Sequence, residues 1–430
     1  MTFLLMDFGA SRIKSGISHD GEPPQSCDIG IYAACAPETT RDGKYEVSGR
    51  DLQAITQEII GRYRKTFDLD GILICSEMHG FALLDENDRP CSNYVSWKDE
   101  RDAVAGGAWF KSLTARIAVE EFLRITGMTC SPSSPVVNLC CLLKDEKVGR
   151  AKVVSLPELL VAVSGQPTHV THVSMAAGIG VVDINRMAIS ERVMGFVRDE
   201  TGTELTVNEV ACGNLEPAGT IMGIPVYAGV GDMQAALLGA GNDETTISLN
   251  LGTGSQVSCI NGKTSFPGME KRPFFDGRYV DAITHIPSGR MLNAYLGFLS
   301  SVNPSADFWG MLADCTPDEI GNAPLSLDLG VFRGAWNFTD GGCIRNIMEG
   351  NFTVRTFLAS LLNSYVRQYE TCIRLFSDRD RRSIVLSGGI PGKLPALGRI
   401  LAARTGLRIR DSKSREETLD GLARLSKSLQ

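Results

Sequence analysis

Three short glycine-centred segments, far apart in the chain, share one chemistry: Asp7-Phe8-Gly9-Ala10-Ser11, Leu251-Gly252-Thr253-Gly254-Ser255 and Leu386-Ser387-Gly388-Gly389. Each follows an apolar run that reads as a buried strand, over residues 3–6, 246–249 and 384–386. A strand that opens into Gly and Ser presents bare backbone N–H groups, and these suit phosphate oxygens. One such loop is ordinarily just a turn. Three of them, with an acid in the first and Gly231-Asp232-Met233-Gln234 between, point to nucleotide phosphates.

Several side chains near these loops carry a chemical reading beside a plainer one. Asp7, at the end of a strand and next to Gly9, fits a carboxylate holding a hydrated Mg²⁺ on ATP phosphates, and equally a turn acid. Lys14 is within reach of a phosphate or is solvated on its hairpin. Asp232 falls where a strand meets a helix, and suits a general base for a substrate hydroxyl. It also suits a helix N-cap, and the two roles are compatible. His79, in Glu77-Met78-His79-Gly80, could hydrogen-bond a polyol or carbonyl, or simply pack. Trp97-Lys98-Asp99-Glu100-Arg101 mixes a flat ring with paired charges as sugar sites do, and helix-surface charge pairs look the same. His169 and His172, three apart in a strand-like stretch, face opposite ways and make no zinc pair. Asp85-Glu86-Asn87-Asp88 reads as a hairpin turn rather than a calcium loop.

The elements that must position these groups are an alternation of strands and helices. A hairpin is expected over residues 3–18, then a helix from Leu52 whose apolar positions, Leu52, Ile55, Ile59, Tyr63 and Phe67, make one face, with Ser48 as its cap. The continuous apolar run 71–75 reads as a strand covered on both faces. The pattern repeats in the second half: a strand at 225–229, a short helix at 233–240, a hairpin around Gly252-Thr253-Gly254, and a long helix over 354–376. A strand at 384–386, a helix over 394–405, a strand at 407–410 and a C-terminal helix over 416–429 complete it. Two α/β units follow, with a boundary near Gly219–Gly223.

Composition agrees with such a protein. The chain has 430 residues, 43% hydrophobic and 22% charged, a prior of about two to three domains. A net charge of −7 argues against a nucleic-acid footprint. No apolar stretch is long enough for a membrane span, and the N-terminus lacks the basic start of a secretory signal. The expected location is therefore the cytoplasm, with the twelve cysteines as free thiols.

The order Asp7-x-Gly9-x-Ser11, Met78-His79-Gly80, Trp97-x-Asp99-x-Arg101, Gly231-Asp232, Gly252-Thr253-Gly254, Ser387-Gly388-Gly389 resembles the FGGY carbohydrate kinases across nearly the whole chain. The Met-His-Gly segment looks like the ketose branch, xylulokinases and sedoheptulokinases. Arg272-Pro273-Phe274-Phe275-Asp276-Gly277-Arg278 and His285-Ile286-Pro287-Ser288-Gly289-Arg290 look closest to sedoheptulokinases. The resemblance implies an α/β fold of two actin-like, ribonuclease H-like ATPase domains flanking a cleft. Residues 1–222 would bind sugar and residues 223–430 ATP. It implies Asp232 as the base and Asp7 on Mg²⁺ through water. It places Ser11, Lys14, Gly252, Thr253 and Gly254 on phosphates, Gly388 and Gly389 at adenosine, and Met78, His79, Trp97 and Asp99 with Asp232 on the sugar side. The implied reaction is ATP-dependent phosphorylation of a primary hydroxyl of a xylulose- or sedoheptulose-like ketose. A kinase for another polyol or modified sugar, and a non-catalytic nucleotide or sugar sensor of the same fold, stand as alternatives; homodimerisation stays open. The family's Gly-Glu-Arg-x-Pro stretch is missing, Leu329-Gly330-Val331-Phe332-Arg333-Gly334-Ala335 standing in that region, and Lys98 replaces a common amide.

Overall fold

The apolar start of the chain forms the strand Thr2–Phe8, buried from Phe3 to Phe8. It pairs antiparallel with Ile13–His19, Asp7 lying opposite Lys14, and parallel with Gly71–Ser76, Asp7 lying opposite Cys75. The computed structural model describes residues 1–430 apart from 10–11, 25–26, 31–37, 40–41, 214, 263–268, 333–334, 338–340, 377–379, 413, 415 and 430.

The chain forms two compact units. One comprises Met1–Gly241, Lys271–Tyr279 and Ser414–Gln430, the other Asn242–Glu270 and Val280–Lys413. The division therefore falls at Gly241/Asn242 rather than at the 219–223 hairpin. The reason is local: Ile224–Tyr227 belongs to the first sheet, and the helix after it is buried against the C-terminal helix of the same unit.

In the first unit the sheet runs Pro217–Ile221, Ile224–Tyr227, Gly71–Ser76, Thr2–Phe8, Ile13–His19, Cys27–Gly30, and the short strand Val230–Gly231 also joins Gly71–Ser76. Val230 lies opposite Cys75, which itself lies opposite Asp7. The carboxyl ends of these parallel strands thus deliver Asp7 and Asp232 to one edge, where open α/β sheets hold their ligands. The helix Gly49–Tyr63 covers one face with Leu52, Ile55, Ile59, Ile60 and Tyr63, and Ser48 caps it by accepting from the Arg50 N–H.

The helices Asp232–Gly239 and Glu417–Ser426 cross backbone to backbone. A Cβ at Gly239 would fall 1.8 Å from the Glu417 carbonyl oxygen, and one at Gly421 would fall 1.9 Å from the Ala235 carbonyl oxygen. Only glycine allows that approach. Arg424 Nη1 donates to the Leu238 carbonyl at 2.8 Å and closes the crossing.

The second unit repeats the scheme. Thr246–Leu251 pairs antiparallel with Gly254–Asn261 and parallel with Ser383–Ser387, which pairs parallel with Arg408–Asp411. The helix Val354–Arg374 buries Phe357, Leu361, Tyr365 and Tyr369, and the two phenols reach Ser288 and Ser255 at 2.9 and 2.7 Å. The helix expected over 394–405 begins at Leu397 and runs to Thr405, and a separate short helix, Ile390–Lys393, precedes it. Pro395 explains the break: it lacks an N–H and pushes Leu394 out of the helical region, to φ −125 and ψ 74. No described cysteine forms a disulfide, and no described helix is long and apolar enough to cross a membrane.

Two glycine-to-alanine exchanges in helices should have opposite signs. Gly421→Ala forces a methyl against backbone and is expected to cost about 1–3 kcal/mol. Gly61→Ala, inside Gly49–Tyr63 with nothing within 4 Å of its Cβ, should stabilise by about 0.5–1 kcal/mol. Urea denaturation of both variants checks the pair; equal effects would refute the close crossing.

Candidate active site

The first unit concentrates acids at the sheet edge. Asp7 is 3% exposed, and its Oδ2 accepts from Thr418 Oγ1 at 2.7 Å and faces Lys14 Nζ at 3.4 Å. Lys14 Nζ also meets Glu416 at 3.0 Å. Burial raises the Asp7 pKa, offset in part by Lys14 and then by Thr418. Burial disfavours the charge on Lys14, but Asp7 and Glu416 outweigh it and raise the pKa of that ammonium.

Asp232 opens its helix directly after the N-cap Gly231, so it is the first helical residue and not the cap itself. Its Oδ1 accepts from the Met233 N–H at 2.7 Å. The side chain keeps part of its surface open, yet it lies deep among protein atoms. Burial, and next the like charge of Asp7, push its pKa up to about 7; Glu77 adds to the rise, while the Met233 N–H and Lys14 oppose it. An acid poised near neutrality, with an open face, suits proton transfer at ordinary pH.

The Glu77-Met78-His79-Gly80 turn follows Gly71–Ser76. Glu77 is buried and accepts from Tyr94 Oη at 3.0 Å and Ser96 Oγ at 2.9 Å; burial raises its pKa, and those two hydroxyls counter it only in part. A Cβ at Gly80 would sit 1.9 Å from Tyr94 Oη, so the glycine clears the path of that phenol to Glu77. His79 holds a φ of +70, uncommon for a side-chain-bearing residue and costing of order 1 kcal/mol. Its Nδ1 lies 2.9 Å from the Gly178 carbonyl, which can only accept. The ring proton is therefore on Nδ1, and Nε2 has the character of an acceptor. Met78 is buried, its sulfur lying where a Cβ on Gly231 would be 2.5 Å away.

Trp97 is 47% exposed, and Lys98 Nζ lies 5.7 Å from its ring and 5.3 Å from that of Tyr45. Asp99 has a different task from the expected sugar contact. It is 0% exposed, and its two oxygens accept from the Tyr45 N–H and from the Arg101 N–H, Nε and Nη2, at 2.8 to 3.1 Å. Both oxygens are committed internally, and the pair anchors the loop that carries Trp97. Arg101 also bonds Glu46 at 2.7 Å.

In the second unit the Gly252-Thr253-Gly254 turn is tied from behind. The Gly289 and Arg290 N–H groups donate to the carbonyls of Gly252 and Thr253 at 3.0 and 2.8 Å, at the start of the helix Gly289–Val302. Thr253 and Gly254 are exposed. Gly388 has φ +85, and a Cβ there would fall 2.5 Å from the Leu251 carbonyl oxygen, so backbone geometry demands glycine. Gly254 and Gly389 face open space, with nothing within 4 Å of a Cβ. No packing reason requires them to be glycine; room for a ligand against bare backbone would.

The structure brings Asp7, Lys14, Met78, His79 and Asp232 together within the first unit, and the Gly252, Thr253, Gly254, Gly388 and Gly389 turns within the second. Ser11 lies outside the described residues. Lys14, read as a phosphate ligand, is held by two acids. Among the described residues no group of three or more His, Cys, Asp or Glu side chains could hold a metal; His169 is exposed and His172 buried, on opposite sides as expected. Asp7 nevertheless fits one carboxylate of a hydrated Mg²⁺ site, because its buried Oδ1 has no hydrogen-bond partner of normal geometry. Sequence reasoning missed Glu77, Thr418 and Glu416 as parts of this site. The one signal for the last two was Gly421, a glycine interior to an otherwise helix-forming segment.

Residues 3–239 match the profile of the N-terminal domain of the FGGY family of carbohydrate kinases. No curated protein sequence matches the chain. Among solved structures, ligand-bound xylulose kinase from Lactobacillus acidophilus is similar at a TM-score of 0.81 and 17% identity, covering 100% of this chain and 90% of that one. Gluconate kinase from the same organism gives the same four figures: 0.81, 17%, 100% and 90%. Plasmodium falciparum glycerol kinase with ADP gives a TM-score of 0.80 at 15% identity, with 99% and 88% coverage. Identities this low establish a shared fold, the pair of actin-like, ribonuclease H-like domains.

The raised Asp232 pKa has a stability consequence. A folded value of about 7, above the ordinary 3.8, means the native state binds the proton more tightly, so stability falls as pH rises from about 4 through about 7. Asp232→Asn keeps the acceptor for the Met233 N–H and removes the charge. The variant should gain about 2–4 kcal/mol over the parent between pH 5 and pH 8. A gap that stays constant with pH in chemical denaturation would disprove the raised pKa.

Proposed function

The chain belongs to the FGGY family of carbohydrate kinases, and from that premise we propose that it transfers the terminal phosphoryl group of ATP to a primary hydroxyl of a ketose of the xylulose or sedoheptulose kind. The observation that carries the reading is Asp232, a partly open carboxyl with a pKa of about 7 at the end of the sheet, beside the Met78-His79 turn. In this reading the first unit holds the sugar and the second the nucleotide.

Asp232 accepts the hydroxyl proton as the sugar oxygen forms its bond to the γ-phosphorus and the bond to the bridging oxygen of ADP breaks. His79 Nε2 accepts from a sugar hydroxyl, and the exposed Trp97 offers a flat face to the ring or chain. The N–H groups of the 252–254 turn and the bare backbone at Gly388-Gly389 receive the nucleotide. Asp7 would hold a hydrated Mg²⁺ by its unbonded oxygen, while Thr418 fixes the other oxygen. The ion supplies neutralisation of the phosphate charge. Positioning and electrostatics are most of what a loose phosphoryl-transfer transition state needs. Solved structures of similar fold include gluconate and glycerol kinases, so the polyol or sugar-acid reading is the rival within the same reaction class.

A coupled ADP-release screen over D-xylulose, sedoheptulose, pentitols, glycerol and gluconate separates these readings. Turnover stimulated by a ketose, with an acid limb of kcat/KM near pH 7 and loss of at least about 10³-fold in Asp232→Asn, is the expected result. Glu77→Gln, which keeps an acceptor for Tyr94 and Ser96, should move that limb to lower pH, because a neighbouring negative charge is removed. ADP release that no sugar stimulates, together with an unaltered Asp232→Asn, would discard the proposal.

A further inference from the structure

Asp232 itself accepts one described hydrogen bond, from the Met233 N–H beside it. Its position is therefore set by the backbone that precedes it, and that backbone is Gly231. On one side of Gly231 a Cβ would strike Met78 Sδ at 2.5 Å and Gln234 Oε1 at 2.3 Å, and Gln234 is pinned by donating Nε2 to the Pro273 carbonyl at 2.9 Å. On the other side the Gly231 N–H donates to Ser174 Oγ at 3.1 Å. Ser174 Oγ in turn lies 2.7 Å from His172 Nδ1, and both side chains are 0% exposed.

The proton directions in this chain are determined. The Ser174 backbone N–H, which can only donate, points at His172 Nδ1 from 3.2 Å as the cap of the helix Val173–Ile179. Nδ1 is therefore unprotonated and the ring proton is on Nε2. Ser174 Oγ–H must then donate to Nδ1, which leaves the Oγ lone pairs for the Gly231 N–H. Burial supports this state by pushing the His172 pKa down to about 4, and the ring packs 5.6 Å from that of Phe275.

We propose that His172 and Ser174 are positioning residues for the base, a hydrogen-bonded chain running from Gly231 N–H through Ser174 Oγ–H to His172 Nδ1 that fixes the backbone on which Asp232 stands. The proposal rests on the reading of Asp232 as the base, but its first readout does not.

Amide exchange at Gly231, followed by NMR on the full chain, tests the bond directly, and ADP release with D-xylulose as probe tests its use. Ser174→Ala is expected to speed Gly231 exchange about 10-fold and to lower kcat about 10-fold, with KM for D-xylulose and ATP within about twofold. Ser174→Thr restores both, and His172→Asn, which still caps the Ser174 N–H, gives a smaller change of the same kind. The double variant loses no more than Ser174→Ala alone, because both act through one chain. Unchanged exchange at Gly231 in Ser174→Ala overturns the proposal, as does a loss of kcat that Ser174→Thr does not recover or that multiplies in the double variant. Should Ser174→Ala not fold, His172→Asn carries the same comparison. Should D-xylulose prove inert, the exchange result decides alone, and the reading of Asp232 falls separately, by an Asp232→Asn variant active on its true substrate.

Discussion

The placing of the first unit's acids depends on a contact between two helix backbones. The helices Asp232–Gly239 and Glu417–Ser426 touch through Gly239 and Gly421, each where a methyl would overlap a carbonyl oxygen of the other. That contact brings the last helix of the chain against the first strand. Thr418 can then donate to Asp7 and Glu416 can meet Lys14. Residues more than four hundred positions apart in sequence become neighbours because two glycines let two helices approach. A wider crossing, with ordinary side chains between, would move Asp232 and Thr418 away from the sheet edge together.

The arrangement gathers Asp7, Asp232 and Glu77 in a region where burial disfavours charge, with Lys14 favouring the charged form of the first two and Lys98 that of Glu77. A fold selected only for stability would neutralise such a group or replace it by apolar side chains. Here the acids are retained, and the cost appears as raised pKa values. The three carboxylates are treated differently, and the differences are informative. Glu77 has hydroxyl donors from Tyr94 and Ser96, so it is a structural acceptor that also presses on Asp232 by charge. Asp7 has one oxygen bonded and one buried without a normal partner, which fits the cation ligand of the proposed reading. Asp232 keeps an open face and a pKa of about 7, which fits the base of the proposed reading.

What the sequence disclosed, and what it withheld, follows the range of the forces. Strands, hairpins and the Gly49–Tyr63 helix were legible because period and turn chemistry are local, as Ser48 and its Arg50 N–H bond illustrate. Asp7, His79 and Asp232 were legible as candidates because each stands beside a glycine at a strand end. Asp99 was misread, because an acid near an exposed Trp looks the same whether its oxygens face a ligand or are closed on Tyr45 and Arg101. Only the fold brings Tyr45 and Asp99 together across fifty-four positions. The domain boundary was misplaced for a similar reason: nothing in residues 223–241 announces that their partner is the C-terminal helix. His172, set aside as a failed zinc ligand, shows its neighbours only when Ser174 and Gly231 meet.

The two units use one backbone plan with different charges. In register, Asp7-Phe8-Gly9 of the first hairpin corresponds to Asn250-Leu251-Gly252 of the second: Asp7 pairs with Lys14 and Cys75, Asn250 with Gln256 and Ser387. The charged pair of the first sheet edge is thus a neutral pair in the second. A neutral edge with glycines free of packing demands, Gly254 and Gly389, is suited to holding a highly charged nucleotide through backbone N–H groups without competing for its cation. A carboxylate edge, with an unbonded oxygen on Asp7, has in the proposed reading the chemistry to hold a cation and take up a proton. The Asp of one strand end is an Asn at the equivalent strand end of the other unit, and in the proposed reading that exchange separates a reacting edge from a binding edge.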